Sequence, residues 1–296
     1  MNPIQMKKLT VFCAAACLAT SAAAQNHPDL YEVLDRQKGR NLIEIPKGTY
    51  TLDVRNNGPY KFHNLTDVHI NGNGSTVVCN NQEQAFSFYN CVRVELRDLT
   101  IDYDPLCFTQ GEITTVAEDG SWFDVRIDEG YPVTGLAANR VQFYDPQTRL
   151  LKRNSITTYT SNYSALKQLG HNLFRAVKNG TWSAGEQVGD LIVMDVKTDK
   201  PNAGVHTVML NKCYNTKLEN VTVYGSNTFS FFEKEGYANE YRNCVVDRGP
   251  MPQGIRPRLR SGNADGIHSS QARKGPTVTG CKVGHNGDDC IIVCGR

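Results

Sequence analysis

The amino-acid sequence predicts an all-β chain: a right-handed parallel β-helix carrying a small inserted antiparallel β-barrel. Three observations predict it: a strand template that recurs about once per coil, Gly and Asn turns between its copies, and a long middle stretch where the template vanishes. The 296 residues suffice for one or two domains with a substantial core. At 40% apolar and 21% charged, with 25 Gly and 12 Pro, the composition excludes disorder, collagen and a polytopic membrane protein. A net charge of +2 supplies no field to gather nucleic acid or an acidic membrane surface.

Residues 94–101 (VELRDLTI) match residues 216–223 (TKLENVTV) in polarity at each position, and Cys91 falls on Cys213 at the same offset of 122. The template returns at 243–246 (NCVV), 23 residues after the NVTV of 220–223, and more loosely at 280–283 (GCKV). Strands this short, alternating apolar and polar and separated by turns such as the NGNG of 71–74, cannot bury an apolar face alone. They must stack. A coil in the low twenties with no helical period between strands predicts a parallel β-helix with rungs about 4.8 Å apart. Cys91, Cys213, Cys244 and Cys281 then point inward as small hydrophobes of an internal ladder.

Along the chain, residues 1–24 read as an export signal. Lys7 and Lys8 precede an apolar run at 9–18, and Ala22, Ala23 and Ala24 supply the small residues before cleavage. The run is shorter than the roughly 20 residues a membrane span needs, so the product is expected in the periplasm, at the cell surface or outside the cell. Cys17 has no Leu three residues before it, so the mature chain is expected without lipid. Loss of Cys13 and Cys17 leaves eight of the ten cysteines. An even number suits disulfides in an oxidising compartment, but the inward register of four favours reduced core thiols. No CxxC has a distant CxxC or HxxxH partner, so no zinc site is expected. Residues 25–102 form the N-terminal coils, with a short helix around 30–37 covering the open end of the stack. Residues 103–207 form the insertion, with strands expected at 111–116, 122–127, 140–144 and 190–196 between turns at 118–120, 145–146 and 179–180. Residues 208–296 resume the coils.

The segments NADGIH (263–268) and NGDDCI (286–291) both read as Asx-Gly turns running into a strand. Aligning Gly266 and Ile267 with Cys290 and Ile291 sets Asp265 against Asp289, 24 residues on, so that Asp265, Asp288 and Asp289 cluster on one outer face. Carboxylates so close repel, which raises at least one pKa and leaves the others ionised. Inverting glycoside hydrolysis needs that division: one acid donates to the leaving oxygen while another activates water, roughly 6.5–9.5 Å away. Asp is also common at β-helix corners, and acid clusters also serve cations. Regular alternation would turn Asp288 or Asp289 inward at large cost, so a bulge exposing both is expected. The loop 248–260 (RGPMPQGIRPRLR) brings four arginines and three prolines beside the acids, either for substrate or for ion pairs that hold the acids in place. His268, Arg273, Lys274 and Arg260 are the expected substrate contacts. Tyr224, Phe229, Phe231 and Phe232 suit a sugar platform but fit a stacked interior better.

NADGIH and GDDCI resemble the Asn-Thr-Asp and Asp-Asp motifs of polygalacturonases, glycoside hydrolase family 28. The layout of most of the mature chain is more similar to the family 110 α-1,3-galactosidases. It has an early insertion, FTQG at 108–111, ADGIH at 264–268, RKGP at 273–276, and Asp288 beside Asp289. The resemblance implies a pectate-lyase-like fold and an inverting O-glycosyl hydrolase for galacto-configured oligo- or polysaccharides. It implies Asp288 as general acid and Asp265 with Asp289 as the base positioning water, with no metal and no cofactor. Polygalacturonases carry Gly-His-Gly and Arg-Ile-Lys segments on later rungs, whereas here Arg296 follows Asp289 by seven residues. The sequence is therefore expected to be an incomplete product of a longer gene, inactive as written. Two other functions fit the same residues: a calcium-dependent polysaccharide lyase with Arg273 or Lys274 abstracting the proton, and a non-catalytic glycan-binding β-helix.

Overall fold

The computed structural model describes residues 27–197 and 205–295. The expected export signal, residues 1–24, lies outside the described residues. The described chain is nearly all β, and among its residues no helix is long and apolar enough to cross a membrane.

Two sheets are parallel throughout. The larger has nine strands: Leu42–Glu44, Thr49–Leu52, Thr66–Cys79, Val92–Tyr103, Lys217–Val223, Glu240–Arg242, Val245–Val246, Thr277–Thr279 and Lys282–Val283. The smaller has six: Tyr60–His63, Phe86–Tyr89, Val208–Asn211, Phe231–Lys234, Ile267–Ser270 and Ile291–Cys294. The chain visits them alternately, and the pairing register follows the sequence repeat. Lys217 faces Glu95 at an offset of 122. Val245 faces Thr222, 23 residues on, and Ile291 faces Ile267 at 24. Lys282 faces Val245 at 37, because the 248–260 loop lengthens that coil.

Left-handed corners recur at matching positions. Asn64, Asn90, Lys212, Glu235 and Gln271, each directly after a strand of the smaller sheet, have φ between 53° and 58°. Asp98, Asn220, Asn243 and Gly280 occupy a second such column. Asn and Asp tolerate this conformation because a short polar side chain can bond locally. Here they also bond from coil to coil: Asn90 Nδ2 donates to Asn64 Oδ1 and Asn220 Nδ2 to Asp98 Oδ1, both at 2.8 Å. Between the two sheets lies a core that includes Phe62, Phe88, Leu96, Ile101, Leu218, Phe231 and Ile267. Cys91, Cys213 and Cys244 are fully buried free thiols and Cys281 is half-buried. The expected helix runs Leu30–Asp35, capped by Asp29, which accepts from the Tyr31 N–H, and it buries Leu30 and Leu34 against this core.

The insertion is a six-stranded antiparallel sheet. The four expected strands appear as Phe108–Val116, Trp122–Ile127, Gln142–Tyr144 and Leu191–Asp195, joined by Tyr163–Gln168 and Leu173–Lys178, which the sequence did not predict. Leu173–Lys178 was masked because its inward set ends in Lys178, fully buried against Glu186. The strands pair in linear order, and among the described residues no backbone ladder joins the ends. Thr158, bridged to Val141 beside one edge strand, reaches Tyr163 of the other through a 2.7 Å hydroxyl contact. Phe108, Ile113, Phe123, Phe143 and Ile192 make its separate core.

The 248–260 loop binds the insertion to the parallel sheets. Arg258 forks onto Asp102 with two 2.8 Å bonds. Leu259 is buried in the insertion core and its N–H donates to Gln110 Oε1 at 2.9 Å.

Candidate functional site

The acids lie where the chain enters the smaller parallel sheet. Since Phe231, Ile267 and Ile291 are in register, the residues two before them, Phe229, Asp265 and Asp289, form a row across three coils. The backbone continues that row: Ser230 N–H donates to Asp265 O and Gly266 N–H to Asp289 O, both at 3.0 Å. Two glycines are dictated by close approach. A Cβ on Gly266 would lie 2.1 Å from Val283 Cγ1 and 2.7 Å from Cys290 O, and one on Gly287 would lie 2.3 Å from Asn263 O. Thus the Asx-Gly turns bring the two acid-bearing segments into contact.

Asp265 is only 5% exposed. Burial raises its carboxyl above the usual carboxylate range; the bond to His268 opposes this, and the charges of Asp288 and Asp289 add to the rise. His268 Nδ1 sits 2.6 Å from Asp265 Oδ2. The His268 ring stacks on Phe229 at 4.2 Å, and Phe229 stacks on His206 at 4.7 Å. Phe232 packs against both histidines. Burial, with the neighbouring His268, pushes His206 down to about 4, so this imidazole stays neutral near pH 7. Phe231 points into the core, as expected, whereas Phe229 and Phe232 are half-buried beside the acids.

Asp288 and Asp289 are both exposed, but on a bend ahead of strand Ile291–Cys294 rather than on the expected bulge. Asp288 Oδ2 accepts from Arg140 of the insertion at 2.5 Å, and the Arg140 guanidinium lies 6.0 Å from the centre of the Tyr159 ring. Gln142 Nε2 donates to Gly287 O at 3.1 Å, so the insertion also grips the backbone beside Asp288.

Arg260 is not placed as expected. It is fully buried, pairs with Asp195 at 2.9 Å, and donates to Arg140 O at 2.5 Å, Gln142 Oε1 at 2.8 Å and Asn263 Oδ1 at 3.2 Å. Its fork is spent inside the protein and meets no solvent. Asp195, pushed up to about 6 by burial, is drawn back chiefly by the Arg260 charge. Arg273 and Lys274 also stand apart from the acids. Strand Ile267–Ser270 separates them from Asp265 by roughly 13 Å of extended chain, at about 3.3 Å per residue. Arg273 borders a shallow depression with Tyr214, Glu235 and Gln271, and the Lys274 ammonium lies 5.9 Å from the Tyr237 ring centre. A cleft of about 510 Å³ lies between the insertion and the 248–260 loop, walled by Tyr131, Pro132, Met251, Pro252 and Arg258, and holds none of the acids.

Sequence reasoning missed Arg140, Tyr159 and His206. His206 was findable, since it lies two residues before Val208 as Phe229 lies two before Phe231. Nothing local marks Arg140, which meets Asp288 across 148 residues. No protein-family model matches the chain, and no curated protein matches it.

Proposed function

We propose that the chain is an exported glycoside hydrolase, built as a right-handed parallel β-helix, that cleaves a galacto-configured α-galactoside or galacturonide with inversion. The observation that carries this reading is the row pairing Asp265, nearly buried and shifted upward, with Asp289, beside an exposed Asp288. Such a group gathers three carboxyls, one of them raised by burial, as general acid and base chemistry at one glycosidic bond requires. Asp288 donates to the leaving oxygen after taking the proton that the raised Asp265 holds, and Asp265, so ionised, orients the water with Asp289. The parallel coils, the alternation between two sheets and the stacked corners support the β-helix. His268, braced by Phe229 and hydrogen-bonded to Asp265, supplies the sugar contact. Arg140 has to release Asp288 before that carboxyl can reach a sugar oxygen, because the guanidinium occupies Oδ2.

The mature product of the whole gene is incubated with α-galactosides and with oligogalacturonides, and reducing sugar and anomer are followed. The expected result is release of the inverted sugar, reduced at least 100-fold by Asp288→Asn, in line with loss of a general acid. Near-normal turnover in that variant rejects the assignment. Products absorbing in the ultraviolet, abolished by a chelator, would mark a lyase instead.

A further inference from the structure

Cys244 and Cys281 lie side by side on neighbouring coils. Val245 faces Lys282 on parallel strands, so the residues one place earlier are also opposite each other. In-register neighbours of this kind have Cα atoms about 4.8 Å apart, inside the roughly 4.4–6.8 Å range a disulfide spans. The backbone N–H of Cys244 donates to Cys281 Sγ at 3.3 Å. Cys244 is fully buried and Cys281 partly exposed, so only one of the two thiols meets a dissolved reagent directly. Contact between the thiols draws Cys281 down and pushes Cys244 up, which makes Cys281 the attacking sulfur.

We propose that Cys244 and Cys281 are a redox modification site, closing an inter-coil disulfide by exchange with a small-molecule disulfide of the glutathione type. The Cys281 thiolate attacks one sulfur of the reagent, forming a mixed disulfide and expelling one thiolate. Cys244 then gives up its proton to that thiolate and attacks Cys281 Sγ, expelling the second thiolate, which takes a proton from water. The two cysteines are oxidised together by two electrons, and the reagent is reduced to two thiols. The bond fastens the coil that ends in Asp288 and Asp289 to the coil that leads to Asp265. Cys91 and Cys213, opposite each other in the same way through the Val92 and Tyr214 bridge, are both fully buried and so have no thiol to start the exchange.

The native chain is treated with oxidised glutathione, unfolded, alkylated and digested with trypsin, and its peptides are weighed. The expected result is peptide 243–248 joined to peptide 275–282 with the loss of two hydrogens, while Cys91 and Cys213 are alkylated. Cys244→Ser should stop at the glutathione adduct on Cys281, and Cys281→Ser should leave Cys244 alkylated. Thermal unfolding in reducing buffer verifies that both variants fold. Full alkylation of Cys244 and Cys281 in the treated wild type overturns the proposal, as does Cys281 joined to Cys290 or Cys294. This readout is independent of any hydrolytic activity.

Discussion

Asp265 and Glu233 are both acids raised by burial, in different surroundings. Asp265 faces two exposed carboxylates across one coil. Glu233 points into the core, where Ser269 donates to it at 2.6 Å and Asn239 at 3.0 Å. Burial raises the Glu233 carboxyl above 4.5, against the pull of those bonds. For an acid raised on folding, the native state holds the proton more tightly than the unfolded chain does. Stability is then fullest below the unfolded value and falls as pH rises toward the folded one, with no further change beyond it. Glu233→Gln does not titrate, so its melting temperature relative to wild type should climb as pH rises from 4.5 and then level off. A difference that stays flat from pH 4 to 8 would show that Glu233 does not titrate in this range on folding.

At the scale of elements, the strands were legible because their alternation and their corner residues repeat. The match of 94–101 to 216–223 and the step of 23 to 243–246 became pairing registers. The facing of Asp265 and Asp289 was legible for the same reason. What the sequence hid were contacts made across long separations or against the local pattern: Lys178 breaks the inward set of its strand, and Arg260 finds Asp195, Arg140 and Gln142 on the insertion. An arginine-rich loop looks solvent-facing until its partners are placed. The turns that position the acids make their own prediction. Gly266→Ala puts a methyl into Val283 Cγ1, Asn286 Nδ2 and the Cys290 carbonyl, and the carbonyl, being backbone, retreats only by moving the acid-bearing segment. The variant should lose about 1–3 kcal/mol in denaturant unfolding, typical of overpacking. A change below about 0.5 kcal/mol would mean the turn is looser than these distances.

At the scale of the molecule, the described residues form two hydrophobic cores, one between the parallel sheets and one in the insertion. Between them run polar contacts that share a few residues. Arg258 reaches Asp102, Arg260 reaches Asp195, and Asn263 Nδ2 reaches the Cys107 carbonyl at 2.7 Å. Because Arg260 also holds the carbonyl of Arg140 and the side chain of Gln142, the same guanidinium that joins the two units sets the insertion's grip on Asp288 and Gly287. Replacing it by methionine keeps much of the volume but leaves Asp195 buried without its cation. Breaking such a pair costs about 3–5 kcal/mol, far more than an exposed ion pair would. That loss falls on the junction rather than on either core. Wild type should therefore unfold in one calorimetric transition and Arg260→Met in two, the first belonging to the insertion and accompanied by lost protection of amides in 108–116. A single transition at the wild-type temperature would show that the apolar contacts of Leu259, Met251 and Ile255 join the two units without this arginine.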